Sequence, residues 1–468
     1  MAELLAARDN ARSGDMVELR LDGVDDLDVA AALRGRSRPA IVTCRPEWEG
    51  GAFDGSEDER RAILAQALTC GADYVDVESR AGFDDLITLQ PDRIVLSSHD
   101  FNGVPSDLDD RVRRMRAAGT ALIKIAITAA KLTDTLPLLR IAKGGRAIVI
   151  AMGEAGVPSR LLPSRYGSVW SYAGNGVAPG QMPASRMIED FLFRRVGSAT
   201  RLFGVVSTNA LHSFSPFMHN AALCAAGIDA VYVPLRAADF DDFTAFAKAL
   251  DVEGASVTIP YKGDALRAAS RVDDLTRRVG AANTIRRCEG GWEATNTDVH
   301  GFLAPLEVAY GAPVSAARAA VLGAGGAARA VVVALRSRGA IVTVHARRSE
   351  RARELARALG VNAGGWPPPA GSWDLLVNCT PLGGVGATEA SPIPADLITG
   401  RFVYDLTYGA HESALVRDAR AVGCGTLDGL PMLIAQAERQ FEWWTGQRPV
   451  PGVMAEAIRR KVSNAGDN

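Results

Sequence analysis

The sequence is poor in the features that mark several classes of protein. It has only 6 cysteines among 468 residues, and they are scattered without the spacing of a disulfide framework or a metal site. Its formal net charge is -2, with no basic tail and no long run of one sign, which argues against nucleic acid or an anionic membrane as a partner. No apolar run approaches the ~18–20 residues of a membrane span, and the N-terminus lacks a signal-peptide pattern. We therefore expect a cytoplasmic protein with free thiols, no metal and small-molecule partners, of unspecified oligomeric state.

Residues 1–199 alternate short β-rich runs with helical stretches. Successive β-α units indicate an α/β protein with a parallel sheet, and this many in a row predict a (β/α) barrel. We expect the chain to begin within the first helix, with no strand before it, and two interpretations stay open: the barrel is open at this point, or the true start of the protein lies upstream. The seven predicted strands are MVELRLD, AIVTCR, YVDVES, RIVLSSHD, LIKIAI, AIVIAMG and GSVWSYAG.

The predicted strand ALIKIAI carries a lysine where a buried strand normally has an apolar residue. Side chains alternate between the two faces of a strand, so Lys124 is predicted to face the barrel interior and its isoleucine neighbours the helices. The same alternation turns a further set of polar side chains inwards: Glu18, Arg20, Asp22, Asp76, Glu78, Ser97 and His99, with Arg45 at the end of its strand. One interpretation is a self-neutralising network of ion pairs that fills the lumen. The other is a catalytic site, because burying charges is costly unless they pair or serve a purpose.

A lysine in a partly dry pocket has a specific chemical use. Desolvation is expected to lower the pKa of Lys124, so that part of it is a free amine able to attack a ketone and form a Schiff base. The iminium then accepts electrons while a neighbouring C–H bond breaks. His99, the only histidine in the first 200 residues, is the natural proton carrier near neutral pH.

These residues carry a resemblance to a known family. The motifs ELRLD, TCRPEWEGG, DYVDVES, SSHDF, IKIAI, AMGEAGVPSR and APGQMP resemble, in order, type I 3-dehydroquinate dehydratase over nearly all of 1–199. The resemblance implies a β/α barrel that removes water from 3-dehydroquinate, with Lys124 forming the imine, His99 shuttling the proton and Glu49 orienting His99. The residues that it assigns to the substrate are Glu18, Arg20, Arg45, Arg160 and Gln181. The chain departs from the family at Val177, where serine is usual, and in the absent first strand.

The second half contains a glycine-rich turn, GAGGAARA (323–330), that follows a predicted strand and opens a predicted helix. This context predicts a nucleotide-binding turn, since glycine permits close approach of a pyrophosphate to the helix N-terminus. The next strand ends in Arg347 and Arg348, with Arg351 close behind, where an NAD site would have an acidic residue. Guanidinium groups suit a 2′-phosphate, so we predict NADP, although some of these arginines also begin a solvated charged helix.

The remaining motifs form a polar set suited to a polyhydroxy acid. They are LHSFSPFMHN, SVTIPYKGDA, GAANTI, ATNTDVHGF, NCTPLGG, YDLTYGA and DGLPMLIAQ, and together they resemble shikimate dehydrogenase over most of 203–450. The resemblance implies that Lys262 and Asp298 handle the proton as hydride adds to the ketone. The substrate contacts that it implies are Ser213, Ser215, Thr258, Asn283, Tyr408 and Gln436. It also implies an NADP site made of Gly323, Gly325, Gly326, Arg347 and Arg351, with Met432 near the nicotinamide.

We predict four regions: the barrel (1–199), a dehydrogenase substrate domain (200–305), a Rossmann-type NADP domain (306–428) and a C-terminal helical segment that packs back on the substrate domain (429–468). The expected function is a bifunctional enzyme of the shikimate pathway, which dehydrates 3-dehydroquinate and then reduces 3-dehydroshikimate with NADPH. Three alternatives stay open: an NAD-dependent quinate/shikimate dehydrogenase, a dehydrogenase with an inert barrel, and a non-catalytic regulator. Retention of the four catalytic residues argues against the regulator.

Overall fold

The computed structural model of the protein describes residues 1–174, 180–384, 389–409 and 411–466. The chain divides into two compact units. The first joins Met1–Thr200 to Leu235–Leu250, and the second joins Arg201–Pro234 to the chain from Asp251 onward. Among the described residues, no helix is both long and apolar enough to cross a membrane.

A six-stranded parallel sheet, in the order of the chain, organises the first unit. Its strands are β1 (Val17–Arg20), β2 (Ala40–Thr43), β3 (Tyr74–Glu78), β4 (Ile94–Asp100), β5 (Leu122–Thr128) and β6 (Ala147–Met152). The helices are α1 (Ala2–Asn10), α2 (Val29–Leu33), α3 (Glu57–Thr69), α4 (Asp84–Leu89), α5 (Leu108–Ala117), α6 (Leu136–Lys143), α7 (Val157–Leu161), α8 (Pro163–Tyr166) and α9 (Ala184–Phe191). The start of α3 shows why the sequence folds as it does: Ser56 and Glu59 form a reciprocal capping box that satisfies the first N–H groups of the helix.

The expected seventh strand, GSVWSYAG, is wrong: its residues 167–174 form an irregular segment outside the sheet. One backbone bond joins this segment to β6, from Val169 N to Ala147 O at 3.0 Å. Next to it the Ser168 hydroxyl accepts from Val149 N at 3.0 Å and donates to Trp170 O at 2.9 Å. A side chain thus takes the place of a backbone ladder, which is the local bonding that serine often offers in competition with strands. In the described part of the chain the sheet is therefore an open half-barrel, with β1 and β6 at its edges.

Two further six-stranded sheets come from the second half of the chain. The first has the order β10-β12-β11-β9-β7-β8, with β7 (Arg201–Ser207), β8 (Ala230–Arg236), β9 (Val252–Val257), β10 (Ala269–Val272), β11 (Thr284–Cys288) and β12 (Gly291–Thr295). The second has the order β15-β14-β13-β16-β17-β18, with β13 (Arg318–Leu322), β14 (Ile341–His345), β15 (Asn362–Gly364), β16 (Leu375–Asn378), β17 (Phe402–Asp405) and β18 (Gly425–Leu427). All its neighbouring pairs are parallel, and the order reverses between β13 and β16, as in a Rossmann fold.

The helices of this half cover both sheets. They are α10 (Ser215–Ala225), α11 (Phe240–Leu250), α12 (Lys262–Ala268), α13 (Asp274–Val279), α14 (Asp298–Ala309), α15 (Gly326–Ser337), α16 (Ser349–Leu359), α17 (Ala414–Ala421), α18 (Leu430–Thr445) and α19 (Val453–Gly466). Helix α11 belongs to the first compact unit. Helices α18 and α19 return to the first of the two sheets, where Phe441 and Met454 share a buried apolar cluster with Phe203 and Val205.

Candidate active sites

The interior face of the half-barrel brings the predicted charged residues together around Lys124. Lys124 is only 5% exposed. Its Nζ lies 3.0 Å from Asp76 Oδ2 and 3.8 Å from Glu18 Oε1, so β1, β3 and β5 each contribute one of the three groups. The remaining side of the ammonium faces the Tyr172 ring, whose centroid is 4.5 Å away. Asp76 was predicted to face inwards without a role, and no sequence signal pointed to Tyr172.

The expected lowering of the Lys124 pKa is wrong for the substrate-free protein. Burial alone would lower this pKa, but the carboxylates of Asp76 and Glu18 outweigh burial and hold it above its ordinary value. The resting lysine is therefore an ammonium ion. A substrate has to displace or neutralise part of this carboxylate field before the amine can act as a nucleophile.

Arg45 is the centre of a buried ion-pair network beside Lys124. Its Nη2 lies 2.9 Å from Asp76 Oδ1, and its Nη1 lies 2.6 Å from Glu78 Oε1. The same Nη1 donates to Ser97 Oγ at 2.9 Å. Burial alone would raise the pKa of Asp76, but Arg45 and Lys124 together hold it well below its ordinary value. Asp76 is thus a fixed negative charge shared between the arginine and the lysine.

Arg60, which the sequence analysis missed, extends this network. It is fully buried, pairs with the other carboxylate oxygen of Glu78, and donates to Cys44 O at 3.2 Å. In the sequence it stands in the charged run SEDERRAIL, which reads as a solvated helix face. The network therefore fits both interpretations of the interior charges. Its members neutralise one another, as in a space-filling network of ion pairs, and they also set the charge state of Lys124, as in a catalytic site.

His99 and Glu49 form a second pair at the same site. Glu49 Oε1 accepts from the backbone N of His99 at 2.9 Å and lies 3.0 Å from its Nδ1. Burial raises the pKa of Glu49 to about 7. Burial, with the nearby Arg45 and Lys124 charges, lowers the pKa of His99 well below its ordinary value. The imidazole is therefore neutral near pH 7 and able to accept a proton.

The other predicted substrate residues of this half differ in how they are held. Arg20 is bound by Asp22 through contacts of 2.8 and 2.7 Å, and its side chain stays 35% exposed. Arg160 is buried, which lowers its pKa to about 10. Gln181 lies against Gly174, where an added Cβ would come within 2.8 Å of the amide Nε2. Val177 falls outside the described residues.

In the second unit, Lys262 and Asp298 meet directly. Lys262 Nζ donates to Asp298 Oδ2 at 2.5 Å, while Asn283 Nδ2 donates to Asp298 Oδ1 at 2.7 Å. Asn283 Oδ1 in turn accepts from the backbone N of Thr297 at 2.8 Å, and its Nδ2 lies 3.3 Å from Gln436 Oε1. Both carboxylate oxygens of Asp298 are thus held at the start of α14, next to a lysine at the start of α12. This arrangement can give a proton to an oxygen that gains negative charge.

The remaining predicted substrate residues follow strands of both sheets of the second unit: Ser213, Ser215 and Thr258 follow β7 and β9, whereas Tyr408 follows β17 of the other sheet. Ser213 Oγ accepts from Ser215 N at 3.1 Å, so the two serines form one turn at the start of α10. The Thr258 backbone N donates to Val206 O at 3.2 Å. Tyr408 packs against Phe214, with ring centroids 5.8 Å apart. A chain of buried polar groups missed by the sequence analysis supports this region, running from Tyr232 through Ser256 to Gln440 with contacts of 2.6 and 2.7 Å.

The glycine-rich turn fits a dinucleotide. Gly323 has φ +110, and a Cβ there would lie 3.1 Å from Cys379 O. A larger residue would therefore occupy the space between the ends of the neighbouring strands β13 and β16. At Gly326 a Cβ would lie 2.9 Å from Lys262 Cδ, which places the lysine stem against the start of α15. Gly325 caps α15, whose N-terminal amides are open to an anion. Met432 is buried in the first turn of α18.

The arginines at the end of β14 fit a 2′-phosphate. The side chains of Arg347, Arg348 and Arg351 are exposed. Within the described ranges, none of the three forms an ion pair with a carboxylate. These guanidinium groups are therefore available to an anionic ligand. Over the same ranges, no cluster of three or more histidine, cysteine or acidic side chains could hold a metal ion.

Three family models match the chain. They are described as type I 3-dehydroquinase over residues 1–194, shikimate dehydrogenase substrate binding domain over 205–285, and shikimate 5′-dehydrogenase C-terminal domain over 429–459. The order of these matches along the chain follows the order of the two sites.

Individual relatives agree with these matches. The chloroplastic bifunctional 3-dehydroquinate dehydratase/shikimate dehydrogenase of Arabidopsis thaliana is 32% identical over 470 residues, covering 92% of this chain and 78% of the relative. The shikimate dehydrogenase (NADP(+)) of Microcystis aeruginosa is 38% identical and covers 57% of this chain and 99% of the relative. The crystal structure of shikimate 5-dehydrogenase from Thermus thermophilus in complex with NADP(H) and shikimate is 38% identical, with a TM-score of 0.50 over 56% of this chain and 99% of that chain.

Proposed function

The chain belongs to the family of bifunctional 3-dehydroquinate dehydratase/shikimate dehydrogenase enzymes, and we propose that the two sites described above carry its two reactions. The half-barrel removes water from 3-dehydroquinate to give 3-dehydroshikimate. The second unit reduces the ketone of 3-dehydroshikimate to shikimate with NADPH. The product of the first site is the substrate of the second.

At the first site, Lys124 supplies the nitrogen of the imine. Substrate binding brings a carboxylate and hydroxyl groups towards Arg20, Arg160 and Gln181. The nitrogen attacks the ketone carbon, a C–N bond forms, and the ketone oxygen leaves as water. His99, held by Glu49, enters the reaction neutral and accepts the proton next to the iminium carbon. The substrate hydroxyl one carbon further then takes this proton back from His99 and leaves as water, which forms the carbon–carbon double bond. Water hydrolyses the iminium, which releases the enone and regenerates Lys124. The observation that carries the assignment is the buried Lys124 ammonium with two carboxylates within 4 Å of its Nζ.

At the second site, the residues of the chain bind, orient and protonate. Ser213 and Ser215 present hydroxyl groups to the substrate carboxylate, and Asn283 and Gln436 present amides to its hydroxyls. NADPH, when bound along the glycine-rich turn and Arg347, supplies the hydride. Lys262 and Asp298 hold the proton that the new hydroxyl needs, and their 2.5 Å contact is the observation that carries this part.

Two finer points belong to the same proposal. We place the enzyme in the cytoplasm, which fits its six free cysteines. We assign it small-molecule partners only.

A dehydrogenase with an inert half-barrel is the second candidate function. The observation that favours it is that the sheet is open between its edge strands β1 and β6.

Each reaction is tested separately. Purified protein given 3-dehydroquinate alone is expected to produce the ultraviolet absorbance of the conjugated enone product. Given 3-dehydroshikimate and NADPH, it is expected to consume NADPH. Activity in the second assay without activity in the first would support the inert half-barrel. Activity in neither would overturn the proposal for both sites.

A further inference from the structure

The irregular segment that replaces the seventh strand carries an aromatic side chain to the Lys124 nitrogen. Tyr172 lies in this segment and packs against a buried apolar cluster on the sheet that includes Leu122 and Ala126, the neighbours of Lys124 on its own face of β5. Its ring centroid is 4.5 Å from Lys124 Nζ. The other described groups around that nitrogen are the Asp76 and Glu18 carboxylates. The nitrogen thus has two anions and one aromatic ring as neighbours.

An aromatic ring at this distance distinguishes a charged nitrogen from a neutral one. The face of the ring carries partial negative charge and attracts a cation within about 6 Å of its centroid. Away from water this attraction shifts an equilibrium by roughly ten-fold or more. Burial raises the pKa of Tyr172 to about 12, so at neutral pH the side chain is a neutral phenol and the attraction comes from the ring itself.

We propose that Tyr172 is a further catalytic residue of the dehydratase site, whose ring stabilises positive charge on the Lys124 nitrogen. The inference rests on the proposed role of Lys124 as the imine-forming residue. During imine formation the nitrogen changes charge twice. The ammonium releases a proton to become the attacking amine, and the neutral carbinolamine later takes up a proton on its hydroxyl and loses water to become the iminium. The ring favours both cations over the neutral species between them. It therefore favours the step in which water leaves, because that step restores the charge.

Two substitutions separate the ring from its hydroxyl. Tyr172→Phe keeps the ring, and Tyr172→Leu removes it while leaving a side chain that suits the apolar cluster. The matched control is Tyr74→Leu, which removes a ring of the same cluster that packs on Trp170 with centroids 5.6 Å apart and is not among the described neighbours of Lys124 Nζ. Dehydrogenase activity, measured on 3-dehydroshikimate, shows that each variant is folded in its second unit, and circular dichroism reports on the whole chain.

The first readout is the pH dependence of Lys124 acylation by an acid anhydride, located by peptide mass spectrometry. The second is the yield of imine trapped by borohydride with 3-dehydroquinate. Tyr172→Phe and Tyr74→Leu are expected to match the natural protein in both. Lys124 of Tyr172→Leu is expected to have a lower pKa, with acylation at a given pH faster by roughly ten-fold. Its imine yield is expected to stay near that of the natural protein, because trapping compares two cations that the ring stabilises alike.

Two results would overturn the inference. One is a Tyr172→Leu variant in which Lys124 acylation has the same pH dependence as in the natural protein. The other is a Tyr172→Phe variant that changes as much as Tyr172→Leu, since the hydroxyl and not the ring would then matter. If the natural protein itself traps no imine at Lys124, the proposed dehydratase function fails, while the acylation titration still decides whether the ring stabilises the ammonium.

Discussion

The two lysines to which we assign catalytic roles occupy opposite kinds of surroundings. Lys124 is buried in a network of fixed charges that includes Asp76, Glu18 and Arg45. Within the part of the chain that the structure describes, Lys262 pairs with one carboxylate, Asp298, and its stem lies against the glycine-rich turn at Gly326. The difference follows the chemistry that we propose for each site. A lysine that becomes covalently bound must have its charge set by the protein, whereas a lysine that assists hydride addition needs only a proton and a place beside the nucleotide.

The largest effect that separates the two sites is expected from Lys124→Ala. Loss of the nucleophile should lower dehydratase activity by at least about 10⁴-fold and abolish borohydride trapping, while reduction of 3-dehydroshikimate stays unchanged. Lys143→Ala, which removes an exposed lysine from α6 of the same unit, is the control. Trapping that persists in Lys124→Ala would move the nucleophile to another residue.

The converse substitution is Asp298→Asn in the second unit. The amide still fits the site but cannot relay a proton with Lys262, so reduction of 3-dehydroshikimate should fall by roughly 10²-fold or more. Dehydratase activity should be normal, and exposed Asp274→Asn should behave like the natural protein. Near-normal turnover by Asp298→Asn would refute its role in the proton transfer.

A smaller and more selective effect is expected from Arg347→Ala. Losing a charge-assisted contact with the 2′-phosphate should raise the KM for NADPH by roughly 10- to 100-fold and leave the KM for NADH almost unchanged. Arg353→Ala, an exposed arginine further along α16, is the matched control. Steady-state kinetics with both cofactors measures the ratio, and an equal loss for the two cofactors would mean that Arg347 does not contact the 2′-phosphate.

The smallest predicted effect concerns stability and is specific to the buried charges of the first unit. Glu49 has a folded-state pKa of about 7, above its unfolded value, so its stabilising contribution is present below about pH 4.5 and is lost as the pH rises through 7. Glu49→Gln should therefore raise the Tm by a few degrees at pH 8 and leave it unchanged near pH 4.5. Exposed Glu47→Gln, in the same short turn, should change the Tm at neither pH. A Tm gain for Glu49→Gln that is equal at both pH values would contradict the assigned titration.

The strands could be predicted where side-chain alternation determined them. The period of two placed Lys124, Asp76 and Glu78 on one face, and the strand, turn and helix around GAGGAARA located the Rossmann turn. The seventh strand could not be predicted correctly, because the choice between a backbone ladder and the Ser168 hydroxyl depends on the position of β6. The distance between Ser168 and β6 cannot be read from the local sequence.

The charge state of Lys124 was unpredictable for a similar reason. Burial of a lysine is readable from its strand, but the sign of the pKa change depends on two carboxylates that lie 48 and 106 residues away along the chain. Arg60 was missed because its helix reads as solvated. In each case an interaction between distant residues decided the outcome, and the sequence pattern described only one partner.

The most direct test of the central claim is NADPH oxidation after 3-dehydroquinate alone is added to the purified protein. Both sites must work in sequence for NADPH to be consumed, so we expect steady oxidation that Lys124→Ala and Asp298→Asn each abolish. An equal mixture of the two variants should restore it, since the intermediate can diffuse between molecules. No oxidation with 3-dehydroquinate, together with rapid oxidation with 3-dehydroshikimate, would contradict the account and show that the open half-barrel is inert.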